Sequence, residues 1–363
     1  MPTNYFVDPS LGSDTGDGSK TTPWGRASGS VTQYALDTIT ASASGDVINI
    51  KSGAADVLTA NLNLTTYGIP TEAAPLMIQG YDTDAGDGGK GEIDGDGSYT
   101  CFNGTEDYVI VADLKAHNCG TGYMIRLDNY CGVFRCEVYD AGRGIDVGAY
   151  CDVLYNYVYQ CISYHILGHA SFGNYSYNYT ANSGVACGHS IYPVNQSIAS
   201  HNIIVLDGAS GGLRSYGINN RFHNNIIFSQ GGSGAGINID YNNIDGTMVI
   251  NNIIEGFSAG SAVDWNSHAY LQDVYINNAY YNCGTIDEAK TGVTFLLEEN
   301  NETLSESPFE KQGSLTYNNR HNYFKLRNIG NVSYGAYPNQ SRMAKSALSF
   351  KLKNPTLNMT IGF

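Results

Sequence analysis

His201 to Phe257 reads HNIIVLDGASGGLRSYGINNRFHNNIIFSQGGSGAGINIDYNNIDGTMVINNIIEGF, and this stretch decides the fold. The short apolar strings HNIIV, NNIIF and NNIIEGF recur in it, and GLRSY at Gly212 and GINID at Gly236 fall between them. The same glycine-led restart occurs outside the stretch, as GYMIRL at Gly122, GIDV at Gly144 and GHSIY at Gly188, with SAVDW at Ser261 as a serine-led version. Successive restarts lie about 20 to 25 residues apart, with no helical pattern between them, and such a period describes a coil of stacked strands. Each coil then contributes to one continuous core, so a length of 363 residues does not demand several domains.

An asparagine accompanies several of the strands, at Asn202, Asn225, Asn252 and Asn278. Repeated once per coil, these side chains are expected to stack, each amide bonding to the next and to the bend backbone, with ligand contact as the alternative. Cys131 and Cys151, in YCGVF and YCDVL, fall one period apart and read as equivalent positions on neighbouring coils. None of the eight cysteines forms a CxxC pair, so buried thiols are expected rather than a zinc site or disulfides.

The composition sets outer limits. With 19 Lys and Arg against 34 Asp and Glu, the chain carries a formal charge of -15, which repels nucleic acid unless a local basic patch offsets it. No apolar run reaches membrane length, and Met1 to Phe6 lacks the basic start and hydrophobic core of a signal peptide. An extracellular role would then imply release with a particle or an earlier removal of a leader. The 28 tyrosines are read in two ways, as contact area for a partner or glycan and as cover for turns and strands. The N-x-S/T triplets are taken mostly as chance in an Asn-rich chain.

Four stretches follow. Residues 1–45 read as an N-terminal cap, with a short helix predicted within Ser30 to Ser44, and GDVINIK at Gly45 reads as the first strand of the coil. Residues 46–284 form the β solenoid, and 285–337 read as irregular terminal coils and a loop excursion in which the period is lost. Residues 338–363 form a locally basic tail with Arg342, Lys345, Lys351 and Lys353, suited either to docking an acidic neighbour or another copy, or to capping its own coil. The loop from Asp82 to Gly97 has a calcium-like composition without the EF-hand register, so calcium is a minor alternative to an ordinary turn. No other cofactor is expected.

The opening YFVDPSLGSDTGDGSKTTPW, the strand GDVINIKSG and the repeated HNII and NNII strings resemble the right-handed parallel β-helix superfamily of pectate-lyase-like architecture. The resemblance covers about Tyr5 to Gly284, and YGAY after Ser333 looks like a worn form of a closing motif. It implies an all-β fold: a single-stranded right-handed parallel β-helix solenoid with an N-terminal cap and an irregular C-terminal tail. Members of the superfamily include polysaccharide lyases, glycoside hydrolases, adhesins and components of viruses and phages. From this comes the expected function, a virion structural protein such as a capsid decoration or tail spike, possible binding of polysaccharide included. Its partners would be virion or capsid proteins or copies of itself, with no nucleic acid and no membrane, and its place a virion or other extracellular particle. A polysaccharide lyase or glycoside hydrolase, and a bacterial surface adhesin, are the alternatives.

Strand alternation selects the outward residues. With Ile145 and Val147 inward, Asp146 points out; with Ile237 and Ile239 inward, Asn238 and Asp240 point out. Extended by the period, this gives an exposed column of Arg126, Asp146, Arg214, Asn238 and Asp264, with Asp128, Tyr216, Asp240, Asn266 and His268 beside it. Asp240 and Asp264 are the candidate catalytic carboxylates, since coils about 4.8 Å apart bring two acids to the separations that glycoside hydrolysis uses. Arg126 or Arg214 would serve a lyase as base or as clamp on a sugar carboxylate. Solvated surface charge is the competing reading for each. His165, His169, His189 and His268 are expected to be solvent-facing or satisfied in the core.

Overall fold

The computed structural model describes residues 2–41, 45–182, 187–208, 210–239, 246–265, 273–288, 295–309, 311, 350–351 and 358–359. The chain divides into two compact units, the first of residues 1–162, 166–174 and 338–363, the second of residues 163–165 and 175–337.

In the first unit, Thr3–Val7, Asp46–Lys51, Leu76–Tyr81, Val109–Ala112, Gly132–Phe134 and Asp152–Leu154 pair in that order, every neighbour parallel. A second parallel stack joins Ala55–Val57, Gly91–Asp94, Leu114–His117 and the first half of Glu137–Val147. Phe102–Asn103, Tyr123–Leu127 and the second half of Glu137–Val147 make the third. Ile48, Ile78, Val111, Val133 and Val153 occupy one register column and are wholly buried. The opposite face of these strands is also apolar and buried, through Met77, Ile110, Ala112, Phe134 and Leu154. Burial on both faces explains why VIVA reads as an unbroken hydrophobic run instead of an alternation.

The predicted helix is present as Val31–Thr38, and it buries Val31, Thr32, Ala35 and Leu36. Ser30 caps it by accepting from Gln33 N at 3.0 Å. Asp56, 3% exposed, accepts from Ser30 Oγ at 2.7 Å, Val31 N at 3.0 Å and Thr32 N at 2.9 Å. A buried carboxylate is thus matched to the donor end of the helix. One boundary differs from expectation: the parallel pairing of Thr3–Val7 with Asp46–Lys51 makes YFV, not GDVINIK, the first strand of the coil.

The second unit repeats the plan. Ile198–Ser200, Arg221–His223, Met248–Ile250, Asp273–Ile276 and Phe295–Glu299 form one parallel stack. Tyr179–Ala181, Ile203–Leu206, Ile226–Ser229, Ile253–Glu255, Ala279–Tyr281 and Glu302–Thr303 form the next. His189–Tyr192, Gly211–Ser215, Ala235–Ile239, Ser261–Asp264 and Thr285–Glu288 complete it. Ile203, Ile226 and Ile253 are direct register partners. Coiling therefore continues past Gly284, and the strands at 295–299 and 302–303 lie in a stretch expected to have lost the period.

Two of the glycine-led restarts have a steric cause. A Cβ on Gly212 would meet Gly236 O at 2.2 Å, and one on Gly236 would meet Ala262 O at 2.7 Å. At these two positions the coils approach too closely for a side chain. Among the described residues no disulfide forms, and seven of the eight cysteines are buried. Cys131 N donates to Cys151 Sγ at 3.3 Å, as equivalent positions on neighbouring coils should allow. Burial pushes the thiols of Cys136 and Cys187 up to about 12, so both are packing groups and not nucleophiles. No described helix is long and apolar enough to cross a membrane. The YGAY segment and the basic tail lie outside the described residues, apart from the antiparallel pair Phe350–Lys351 and Asn358–Met359.

Candidate functional site

In the first unit, Ile145 and Val147 are wholly buried and Asp146 between them faces outward, in register with Arg126, which is in register with Asn103. The next coil places His169, whose backbone N donates to Val147 O at 3.0 Å. Its ring Nδ1 lies 2.6 Å from Asp146 Oδ1. Asp146 is consequently covered, at 3% exposure, where an exposed column was expected; the imidazole on the following coil is the cover. The hydrogen bond to Asp146 raises the pKa of His169, against the opposing effect of burial, and Asp128 adds to the rise while Arg126 reduces it.

Tyr123, on the strand that carries Arg126, has two guanidinium groups close to its ring. Arg126 is 5.1 Å from its ring centre and Arg143 4.7 Å. Arg143 is the register partner of Tyr123 and hydrogen-bonds to its hydroxyl. Arg126 is exposed and Arg143 half-buried. The cluster of Tyr123, Arg126, Arg143, Asp146 and His169 therefore combines two fixed cations, an aromatic ring and an imidazole oriented by a carboxylate.

The second unit brings together other expected residues. Leu213, Ile237 and Val263 point inward, and the alternate positions Arg214, Asn238 and Asp264 stand in register outside them. Asn238 Nδ2 lies 3.5 Å from Asp264 Oδ2. Arg214 sits 4.8 Å over the ring of Tyr192, and Tyr216 meets the same ring edge-on at 5.8 Å. Asp240, Asn266 and His268 lie outside the described residues. The register sets Asn238 beside Asp264.

The tyrosines resolve into ladders. Tyr108, Tyr130, Tyr150 and Phe172 stack at 5.1, 4.9 and 4.7 Å, all in left-handed backbone at φ 60, 56, 57 and 66°. His117, Tyr139 and Tyr159 stack likewise at 5.0 and 4.7 Å. The inner ring faces are covered by neighbouring rings; the first ladder joins successive turns, and the second lies on the strands Leu114–His117, Glu137–Val147 and Tyr157–Gly168. In the 82–97 loop, Asp87 accepts from the backbone N of Asp82, Thr83, Asp84 and Gly89, which holds its carboxyl well below the usual range. Those oxygens serve their own turn. Among the described residues no group of three His, Cys, Asp or Glu side chains is placed to hold a metal.

No family model and no curated protein matches the chain by sequence. Among solved structures it is similar to pectate lyase Pel9A, with a TM-score of 0.53 and 13% identity over 95% of this chain and 94% of that one. The chain folds as a pectate-lyase-like parallel β-helix. Two lesser likenesses are to the lacto-N-biosidase of Eubacterium ramulus, at TM-score 0.49 and 12% identity over 83% of this chain and 68% of that one, and to the Dettilon tailspike protein, at 0.46 and 13% over 81% and 68%.

Within this β-helix, the outward alternation located Arg126 and Asp146 correctly on one column but did not show His169 beside them. The available signal was distance: His169 follows Asp146 by one coil, as Asp146 follows Arg126. His165 is a core histidine but only partly satisfied: it is wholly buried with Nδ1 2.9 Å from Ser190 Oγ, its buried Nε2 has no hydrogen-bond partner among the described residues, and burial lowers its pKa to about 3.

Proposed function

We propose that this β-helix binds a carboxylate-bearing glycan on the outward face of its first unit. The observation that carries the reading is the pairing of Arg126 and Arg143 about Tyr123 beside the Asp146–His169 contact. In a chain of net charge -15, two arginines fixed one coil apart form a local site for a uronate carboxylate. Protonated His169 adds a third donor. A particle-bound attachment scaffold, held by the basic tail at residues 338–363, is the setting in which such a surface works without turnover, and it is part of the proposal.

Affinity electrophoresis tests the binding. Migration of the full chain should be retarded in gels containing polygalacturonate and not in gels containing a neutral polymer such as dextran, and Arg126→Ala should abolish the retardation. Equal migration in all gels would remove the reading.

The Asp146–His169 contact favours a second reading, a lyase. With Asp146 holding Nδ1, a neutral His169 presents Nε2 as a base toward the proton next to the sugar carboxylate, while the arginines stabilise the charge that develops there. The C–H electrons become a carbon–carbon double bond as the C–O bond to the leaving sugar breaks, and that oxygen takes a proton from water. The product is an unsaturated uronate. Its ultraviolet absorbance on incubation with polygalacturonate separates turnover from binding alone.

A further inference from the structure

The first unit contains a cleft of about 610 Å³ between the loop at 11–23 and the ends of the strands Asp46–Lys51 and Leu76–Tyr81. Two nearly buried side chains form its polar floor. Asp8, 4% exposed, accepts from Lys51 Nζ at 3.0 Å and from Ser10 N at 2.9 Å. Tyr81, also 4% exposed, packs its ring edge-on against Phe6 at 5.3 Å, and its hydroxyl makes no hydrogen bond among the described residues. Thr15, Thr21 and Thr22 bring further hydroxyls to the wall, and Leu11 and Pro23 provide apolar surface.

No open cation stands in the cleft: Lys51 is paired with Asp8 and Lys20 with Asp84, and Asp82, which accepts from Ser52 Oγ at 2.7 Å, adds a further carboxylate to the lining. A volume of this size suits a small ligand, and a wall of hydroxyls and carboxylate acceptors with both lysines already paired suits a neutral polyol, not an anion. We propose that this cleft binds a neutral saccharide unit, with the Asp8–Lys51 pair and the Tyr81 hydroxyl meeting vicinal sugar hydroxyls. This site is separate from the arginine cluster of the same unit. Burial, reinforced by the charges of Asp8 and Asp87, pushes the Tyr81 phenol up to about 12, so it remains a donor throughout the ordinary pH range.

Saturation-transfer NMR on the full chain tests the idea, with maltotriose, cellotriose and galactobiose as neutral probes, and galacturonate and inorganic phosphate as anionic ones. At least one neutral probe should receive saturation. Its affinity should fall about fivefold in Tyr81→Phe, which removes a single hydrogen bond and keeps the ring packing. Asp8→Asn should weaken the same probe, and Arg126→Ala should leave it unchanged. Three results would overturn the proposal: no transfer to any neutral probe, transfer unaffected by Tyr81→Phe, or a neutral signal that disappears in Arg126→Ala and so belongs to the outward face. A response confined to phosphate or galacturonate would equally contradict it.

Discussion

Asn202 and Asn225 stand one coil apart, and Asn202 donates both its side-chain Nδ2, at 3.0 Å, and its backbone N, at 3.1 Å, to the single Oδ1 of Asn225. The relationship repeats from Asn178 to Asn301 in the second unit, with Asn225 to Asn252 at 2.9 Å, Asn252 to Asn278 at 3.0 Å and Asn278 to Asn301 at 2.9 Å. Before each ladder position stands a residue in left-handed backbone: Tyr177, His201, Asn224, Asn251, Asn277 and Asn300, at φ 60, 57, 60, 55, 54 and 54°. The turn therefore has two residues, one that bends the chain and one that turns an amide inward to satisfy the bend.

Replacing Asn225 tests the ladder. Asn225→Ala takes the side-chain acceptor from the buried backbone N of Asn202 and the Nδ2 donor from Ala199 O, while Asn202 Nδ2 keeps Tyr175 O and Asn252 Oδ1 keeps the backbone N of residue 225, and we expect a loss of about 2 kcal/mol in urea denaturation. Asn224→Gly, at the bending position, should change stability by less than about 1 kcal/mol because glycine accepts the same backbone. Similar costs at the two positions would show that the ladder amides do not carry the turn.

Asp56→Ala removes three hydrogen bonds at the buried start of the helix Val31–Thr38. A cost of about 3 kcal/mol is expected, with hydrogen exchange accelerated first in the cap, since a charged acceptor at a helix N-terminus is lost. A variant as stable as the parent protein would place the capping energy elsewhere.

The aromatic ladder predicts a difference between two substitutions at Tyr130. Its ring faces Tyr108 on one side and Tyr150 on the other. Tyr130→Phe should be nearly neutral, and Tyr130→Ala should cost about 1–3 kcal/mol by thermal denaturation as both stacking contacts are lost. Binding of a glycan that depended on Tyr130 while stability did not would reverse the structural role given to this ladder.

His169 supplies a pH prediction. Its folded-state pKa is raised above the unfolded value by Asp146, so the stabilisation is fully present below about pH 6.5 and fades as pH rises through the raised value. NMR titration of the imidazole should give a midpoint above the ordinary histidine value, and Asp146→Asn should lower it. A midpoint unmoved by that change would dissociate the two side chains in solution.

Much of the coil was legible because its determinants are local and periodic. The column of Asn202, Asn225, Asn252 and Asn278 needs only the repeat length to be read, and the corner glycines follow the same count. Thr3–Val7 was not legible as a strand because the whole cap separates it from its partner Asp46–Lys51, which removes the period. The strand Phe295–Glu299 was obscured by its acidic end, which reads as loop. At the site, alternation gave the facing of Arg126 and Asp146, but the burial of Asp146 depends on His169, a residue of another coil with no glycine restart to mark its register. Cover for turns was one of the two readings of the tyrosines, but the stacking of Tyr108, Tyr130 and Tyr150 into a ladder was not legible, because aromatic residues at positive φ are uncommon.

The central claim, that Arg126 and its neighbours recognise a sugar carboxylate, is tested most directly by calorimetric titration of the full chain with trigalacturonate at two salt concentrations. The account predicts saturable binding that weakens at the higher salt, falls about tenfold or more in Arg126→Ala and persists in Arg214→Ala. Absence of binding by the parent protein, or identical isotherms for the parent and Arg126→Ala, would contradict it.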